Sequence, residues 1–283
     1  MQCPVCNENI PEYTRTCPCC QKDVGFPNVR KANSSEEILA LNEKVILRES
    51  EAISNGCISI LEQFKEAVLK SSAVMCTALG KINELVSDDN CLYQNFYKAV
   101  GSEGRLPKDN KYDKIRGSVD SMFFPNYHEE IRFAVLSIDG TGLTGYGNCC
   151  MKLKDIAIEK RTTVFIENTL LFIQKNRIVP GDPLPLGCRA SWPNRYLLAV
   201  AKLGDRITAE TKESEFSGLL MPSRERDGDF IEVHIYGPVK GSAIESLSFD
   251  KSTKKYRRED LVLFKSVLNK AKNKGIITET INQ

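Results

Sequence analysis

Gly228-Asp229-Phe230-Ile231-Glu232-Val233-His234-Ile235-Tyr236-Gly237-Pro238 is the stretch that decides how the second half of this chain folds. Side chains alternate across a strand with a period of two. Ile231, Val233 and Ile235 therefore share one face, and Phe230, Glu232, His234 and Tyr236 share the other. The aliphatic face is expected to meet the core. The opposite face sets a carboxylate, an imidazole, a phenol and a phenyl ring in one row, which suits the wall of a cleft or a sheet covered by helices. The turn at Gly237-Pro238 then leads to a second expected strand over Ala243–Phe249.

Working outward, Glu130–Ile138 has strand character, and a glycine-rich loop, Asp139–Gly147, follows it. No helix follows that loop at once, so a hairpin or active-site loop explains it better than a phosphate cradle. Strands are expected over Cys149–Leu153, Thr162–Glu167 and Leu170–Gln174, with a short helix near Lys154–Lys160. Trp192–Leu203 has helical spacing, and a terminal helix is expected over Arg258–Lys272. This pattern gives an α+β domain over residues 106–283 with a mixed or antiparallel sheet.

Upstream, Ser34-x-x-Glu37 forms a capping-box pattern that opens a helical segment assigned to residues 31–105. Apolar residues recur at three- and four-residue steps through Ile38, Leu41, Val45 and Phe64. A second amphipathic run covers Val74, Leu79, Ile82, Leu85 and Val86, and a shorter helix is expected near Leu92–Val100. A stripe of this width needs cover, so this helical layer is expected to pack on the α+β domain through Ile38, Leu41, Val45 and Phe64.

The first thirty residues carry the strongest chemical pattern. Cys3-Pro4-Val5-Cys6 and Cys17-Pro18-Cys19-Cys20 are two Cys-x-x-Cys knuckles separated by ten residues. Each knuckle aims two thiolates at one point, and two knuckles complete a tetrahedral zinc site with Cys3, Cys6, Cys17 and Cys20 as ligands. Cys19 competes with Cys20 for the fourth position. Four thiolates leave no open coordination position, so such a zinc is structural and not catalytic. The ten residues between the knuckles are too polar to form a core, and the metal is expected to supply most of the folding free energy of this ribbon. The other cysteines show no paired spacing. With no apolar signal segment ahead of the motif, they suggest a reducing, cytoplasmic setting.

Composition narrows the rest. The 283 residues are 41% hydrophobic and 27% charged, ordinary values for a globular protein, and no run is long enough for a membrane helix. Thirty-nine basic against thirty-seven acidic residues leave a net charge of +2, which gives no whole-chain affinity for nucleic acid. The sequence contains no Walker loop, Gly-x-Ser-x-Gly or His-Glu-x-x-His. Trp192, flanked by Arg189 and Arg195, offers either a base-stacking platform or, more commonly, a core tryptophan.

The segment from Gly228 to Leu247, with Glu232 on the strand and a turn before Ile244-Glu245-Ser246-Leu247, resembles the late strand pair of mono-ADP-ribosyltransferases, especially the nucleic-acid-modifying DarT-like toxins. Phe133–Ser137 with Tyr146-Gly147 is similar to the Ser-bearing strand and aromatic loop that hold nicotinamide in that fold. Arg161–Asn168 suits the same cleft. The likeness spans residues 110–250 through short motifs. It implies an enzyme consuming NAD, with Glu232, Ser137 and Arg132 as catalytic residues. Tyr146, Arg161, Thr162, Glu167 and His234 would hold the cofactor. Arg116 and His128 compete with Arg132 for the family's first-strand position. Phe230, two residues before Glu232, replaces the acid of a Glu-x-Glu pair, which points away from protein arginine as the acceptor. The resemblance further implies a bacterial toxin or anti-phage defence factor acting on nucleic acid or an associated protein, with an antitoxin or assembly partner. The competing reading is a non-enzymatic zinc-ribbon adaptor.

Overall fold

The computed structural model describes residues 2–94, 97, 111–225, 228–250 and 258–281. After the cysteine module come α1 (Pro27–Ala32), α2 (Ser35–Ser54), α3 (Ile58–Leu69), β1 (Ser72–Thr77), α4 (Leu79–Ser87) and β2 (Leu92–Tyr93). Next are α5 (Lys111–Phe123), β3 (Ile131–Ser137), β4 (Cys149–Leu153), α6 (Asp155–Ile158), β5 (Thr162–Phe165), α7 (Thr169–Asn176) and β6 (Arg189–Ser191). The chain continues through α8 (Arg195–Leu203), α9 (Phe216–Leu220), β7 (Glu232–Tyr236), β8 (Val239–Lys240), β9 (Ile244–Asp250), α10 (Arg258–Asn273) and β10 (Ile277–Ile281). The result is a mixed α+β fold.

Eight strands form one sheet in the order β10-β9-β4-β1-β3-β7-β5-β6. All neighbours are antiparallel except β10 and β9, which run parallel. Register decides the two faces. Ala134 lies opposite Val233 and Val135 opposite Glu232, so Ile231, Val233 and Ile235 join Ala134, Leu136, Met75 and Met151 on one face. That face carries the main core, closed by Leu41 and Val45 of α2, Phe64 and Val68 of α3, Leu85 of α4 and Val200 of α8. On the other face, Phe123, Phe124, Phe165 and Phe172 close a second, aromatic cluster beneath α5 and α7. The aliphatic side of β7 is thus the core side, as its alternation dictates.

Several elements differ from the expected ones for identifiable reasons. Residues 72–77 are not part of a helical run but a central strand, with its first five residues buried. Val74 fits either a helical or a strand period. What separates the two is flanking by strands on both sides, a non-local fact. Leu170–Gln174 is helical rather than extended, because the Asn168 side chain accepts from the Leu170 and Leu171 amides and caps α7. The terminal strand β10 had no counterpart in the expected elements. Most of the helix expected over Leu92–Val100 lies outside the described residues; Leu92 and Tyr93 form β2. Of the four residues expected to seat the helices, Leu41, Val45 and Phe64 are buried, while Ile38 is 38% exposed. Among the described residues, no helix is long and apolar enough to cross a membrane.

Ser34 caps α2 by accepting the Glu37 amide, yet the second half of the expected capping box is missing. The Glu37 carboxylate instead accepts the Gly187 amide at 2.7 Å and pairs with Arg189 at 2.8 Å, both partners nearly fully buried. This stitches α2 to the loop before β6. Trp192 is 1% exposed and carries the Arg195 guanidinium 4.3 Å from its ring centroid, while Arg195 donates to backbone carbonyls including Trp192 at 3.0 Å. The Trp192 cluster is therefore core and strap, not a base-stacking surface.

Cys76 and Cys150 face each other across β1 and β4 and are joined in a disulfide. Seventy-four residues separate them, so no local spacing betrays the pair. This finding removes the premise that every cysteine outside the knuckles is a lone thiol.

Candidate active site and metal centre

The cysteine module repeats one local geometry twice. Asn7 follows the first knuckle and Gln21 the second, both with left-handed backbone, φ of 59° and 57°. In each, the first cysteine's carbonyl accepts an amide four residues on (Asn7 to Cys3, Gln21 to Cys17), and its own amide donates five residues on (Cys3 to Glu8, Cys17 to Lys22). These tight turns bring the thiols of Cys3, Cys6, Cys17 and Cys20 to within 4.8 Å of one another. The Cys3–Cys20 and Cys6–Cys17 sulfur separations are 3.8 and 3.6 Å. A zinc–sulfur bond of about 2.3 Å gives a tetrahedron edge of about 3.8 Å, so the four positions fit a four-thiolate zinc. Cys19 is exposed and outside the cluster, so Cys20 supplies the fourth thiol of the group.

The module is fastened to the β5–β7 part of the sheet. The Phe26 ring lies 5.3 Å from that of Tyr236, and Arg15 sits 4.1 Å over Phe26. The Asn28 side-chain amide donates to the Arg161 carbonyl at 3.1 Å and to the His234 carbonyl at 3.3 Å, clamping β5 to β7.

Beside the aromatic cluster, where the pairing of β1 with β3 ends at Val74 and Val135, a cleft of about 570 Å³ opens. Val135, Phe133 and Phe230 form apolar wall, while Glu232, Tyr146, Arg116 and Lys81 bring polar groups to it. Glu232 is held from behind. Its Oε2 accepts the Thr169 amide at 3.1 Å, at the start of α7, and lies 3.0 Å from His234 Nε2. Arg116 stacks 5.0 Å over the Phe133 ring, and its Nε reaches Asp120 Oδ2 at 3.3 Å. Tyr97 donates to the same oxygen at 2.6 Å. Burial pushes the Asp120 carboxyl up, against the opposing pull of Arg116 and of the Tyr97 hydroxyl. Burial, then the Asp120 charge, raises the Tyr97 phenol strongly, so Tyr97 stays a donor at neutral pH.

Of the residues singled out from sequence, Glu232 and Tyr146 meet in this cleft, and Arg132 reaches its wall. The Arg132 guanidinium, however, is 1% exposed and donates to the Glu130 carbonyl at 2.6 Å. It stands on the opposite side of β3 from Phe133 and Val135. Arg116, stacked over Phe133, is the arginine on the cleft side of β3. Ser137 lies away from the cleft and donates to Asp139 Oδ1 at 3.0 Å. Asp139 also accepts the Thr141 hydroxyl at 2.6 Å and the Ser217 hydroxyl at 2.7 Å, so Ser137 helps anchor the glycine-rich loop. Arg161 donates to the Ala157 and Tyr236 carbonyls, and the Thr162 hydroxyl to the Ile158 carbonyl at 2.7 Å. Both tie strand ends together. Glu167 sits 3.8 Å from Lys175 beside α7, outside the cleft lining. His234 is enclosed by Phe124, Phe133 and Phe165 and touches Glu232 rather than the open space. Sequence reasoning missed Lys81, Tyr97 and Asp120. The i,i+4 spacing of Arg116 and Asp120 was the one available signal for the last.

Gly147 lets the Tyr146 loop approach β1. A Cβ there would lie 2.2 Å from the Thr77 carbonyl carbon, with backbone unable to yield. Gly147→Ala is therefore expected to displace the Tyr146 loop and cost about 1–3 kcal/mol, typical of overpacking. Thermal melting reads the loss; an unchanged midpoint contradicts this packing.

No family model matches the chain, and no curated protein matches it in sequence.

Proposed function

We propose that the cleft binds NAD and that the protein is a mono-ADP-ribosyltransferase with Glu232 as its catalytic carboxylate. The observation that carries this reading is the arrangement of Glu232 with Tyr146 and Arg116 around one cleft of about 570 Å³, a size within the range of small-molecule sites. In the reaction, the bond between nicotinamide nitrogen and ribose C1 breaks, and its electron pair leaves with nicotinamide. The ribosyl group passes through an oxocarbenium-like state. An ionised Glu232 stabilises that positive charge, as paired carboxylates do in glycoside cleavage. The acceptor's nucleophile then bonds to C1 and gives up a proton to solvent. Arg116 supplies a fork for the pyrophosphate, and Tyr146 with the apolar walls supplies surface for the rings.

On this reading the acceptor is a nucleic acid or a protein bound to it, the cysteine module is its docking element, and the setting is that of a cytoplasmic toxin or defence factor checked by a partner. The adaptor alternative draws on the four-cysteine module, but it offers no use for a carboxylate held at the edge of an open cleft. Calorimetric titration with NAD tests the site: binding by the wild type and at least about tenfold weaker binding by Arg116→Ala are expected, as for loss of a charge-assisted contact. Absence of NAD binding by the wild type overturns the proposal.

A further inference from the structure

We propose that His234 is a positioning residue for Glu232: its caged imidazole holds Oε2 so that Oε1 is presented to the developing positive charge. The inference rests on the transferase reading above. Glu232 and His234 are two residues apart on β7 and therefore on one face, where Nε2 and Oε2 approach to 3.0 Å. An imidazole bonded to a carboxylate carries its hydrogen on that nitrogen, so Nε2 donates. The Thr169 amide donates to the same oxygen at 3.1 Å. Two donors on Oε2 leave Oε1 outside both bonds, and a carboxylate fixed at one oxygen rotates less about its terminal torsion.

The imidazole itself has little freedom. His234 is 3% exposed, with ring centroids of Phe124, Phe133 and Phe165 at 4.8, 5.4 and 6.0 Å. Phe124 and Phe133 meet it edge to face, and Phe165 is stacked. Its backbone is pinned from the cysteine-module side, where Asn28 donates to the His234 carbonyl at 3.3 Å and to the Thr163 hydroxyl, across from it on β5, at 3.4 Å. An aromatic cage of this kind would hold a phenylalanine as well as a histidine. The one feature phenylalanine lacks is the donor to Oε2.

The test compares wild type, His234→Phe and His234→Gln in NAD cleavage with NAD as the probe. His234→Phe fills the cage and removes the donor. It is expected to lower kcat about ten- to a hundredfold, as misplacement of a reacting group does, with KM for NAD within about twofold. His234→Gln, whose amide can donate in place of Nε2, is expected to recover part of the loss. A wild type that cleaves NAD beside a His234→Phe variant of equal kcat overturns the positioning role alone. A wild type that leaves NAD intact overturns the transferase reading itself. A second measurement needs no turnover: the chain has two histidines, so imidazole proton–nitrogen spectra resolve His234 readily. Glu232→Gln should move the Nε2 proton signal upfield as a charged acceptor becomes neutral, and an unmoved signal overturns the pairing.

Discussion

Glu232→Gln is expected to lower NAD cleavage by about a hundredfold or more while leaving the fold intact, the scale of loss seen when one preorganised electrostatic group is removed from an active site. Glutamine keeps the length and shape of glutamate. Its side-chain carbonyl can still accept the Thr169 amide and the His234 Nε2 that now hold Oε2. What disappears is the negative charge that the proposal sets opposite the breaking glycosidic bond. Because Glu232 is 6% exposed, water cannot substitute for that charge. Melting should therefore shift little while turnover collapses. Turnover equal to the wild type would remove Glu232 from the chemistry and leave Glu84, the other carboxylate lining the cleft among the described residues, as the one to test.

The second large effect concerns the metal. Purified protein is expected to hold one zinc per chain, and its removal by a chelator should unfold the cysteine module while the eight-stranded sheet persists. The apolar contents of the module explain why. Its cluster contains only Ile10 and Val24 beside the cysteines themselves, too little area to offset the entropy of ordering some twenty residues. A four-thiolate zinc contributes about 10–16 kcal/mol at neutral pH, which dominates so small a fold. The main core, by contrast, contains no cysteine of the cluster. Limited proteolysis after chelation should cut within residues 2–24 first. A module that stays protected without metal, or that carries disulfides among its four cysteines, contradicts the assignment.

How far the sequence disclosed this molecule depends on the range of each interaction. The four-cysteine cluster was legible because a knuckle is local: four residues and one turn determine where both thiols point. The faces of β7 were legible for the same reason, since a period of two needs no knowledge of neighbouring strands. The central position of β1 was not, because Ser72–Thr77 becomes a strand by pairing with β3 and β4, sixty or more residues away. The Cys76–Cys150 disulfide follows from that same register and was hidden with it. At the site, Glu232 and Tyr146 came from motif resemblance. Arg116 stood as one of three competing candidates until the fold placed it over Phe133. Ser137, Arg161 and Thr162 have the right residue types, yet each spends its polar group on a nearby carboxylate or carbonyl. A pattern of residue types identifies which groups are available, and only tertiary packing decides which of them are already satisfied.

The most direct test of the central claim is incubation of the purified protein with NAD labelled in the adenylate portion, together with RNA, DNA and protein acceptors, followed by separation of the products. The proposal predicts release of free nicotinamide and covalent label on one acceptor class with wild type, both lost with Glu232→Gln. Intact NAD and unlabelled acceptors with the zinc-loaded wild type would contradict it and leave the cleft without the chemistry assigned to it.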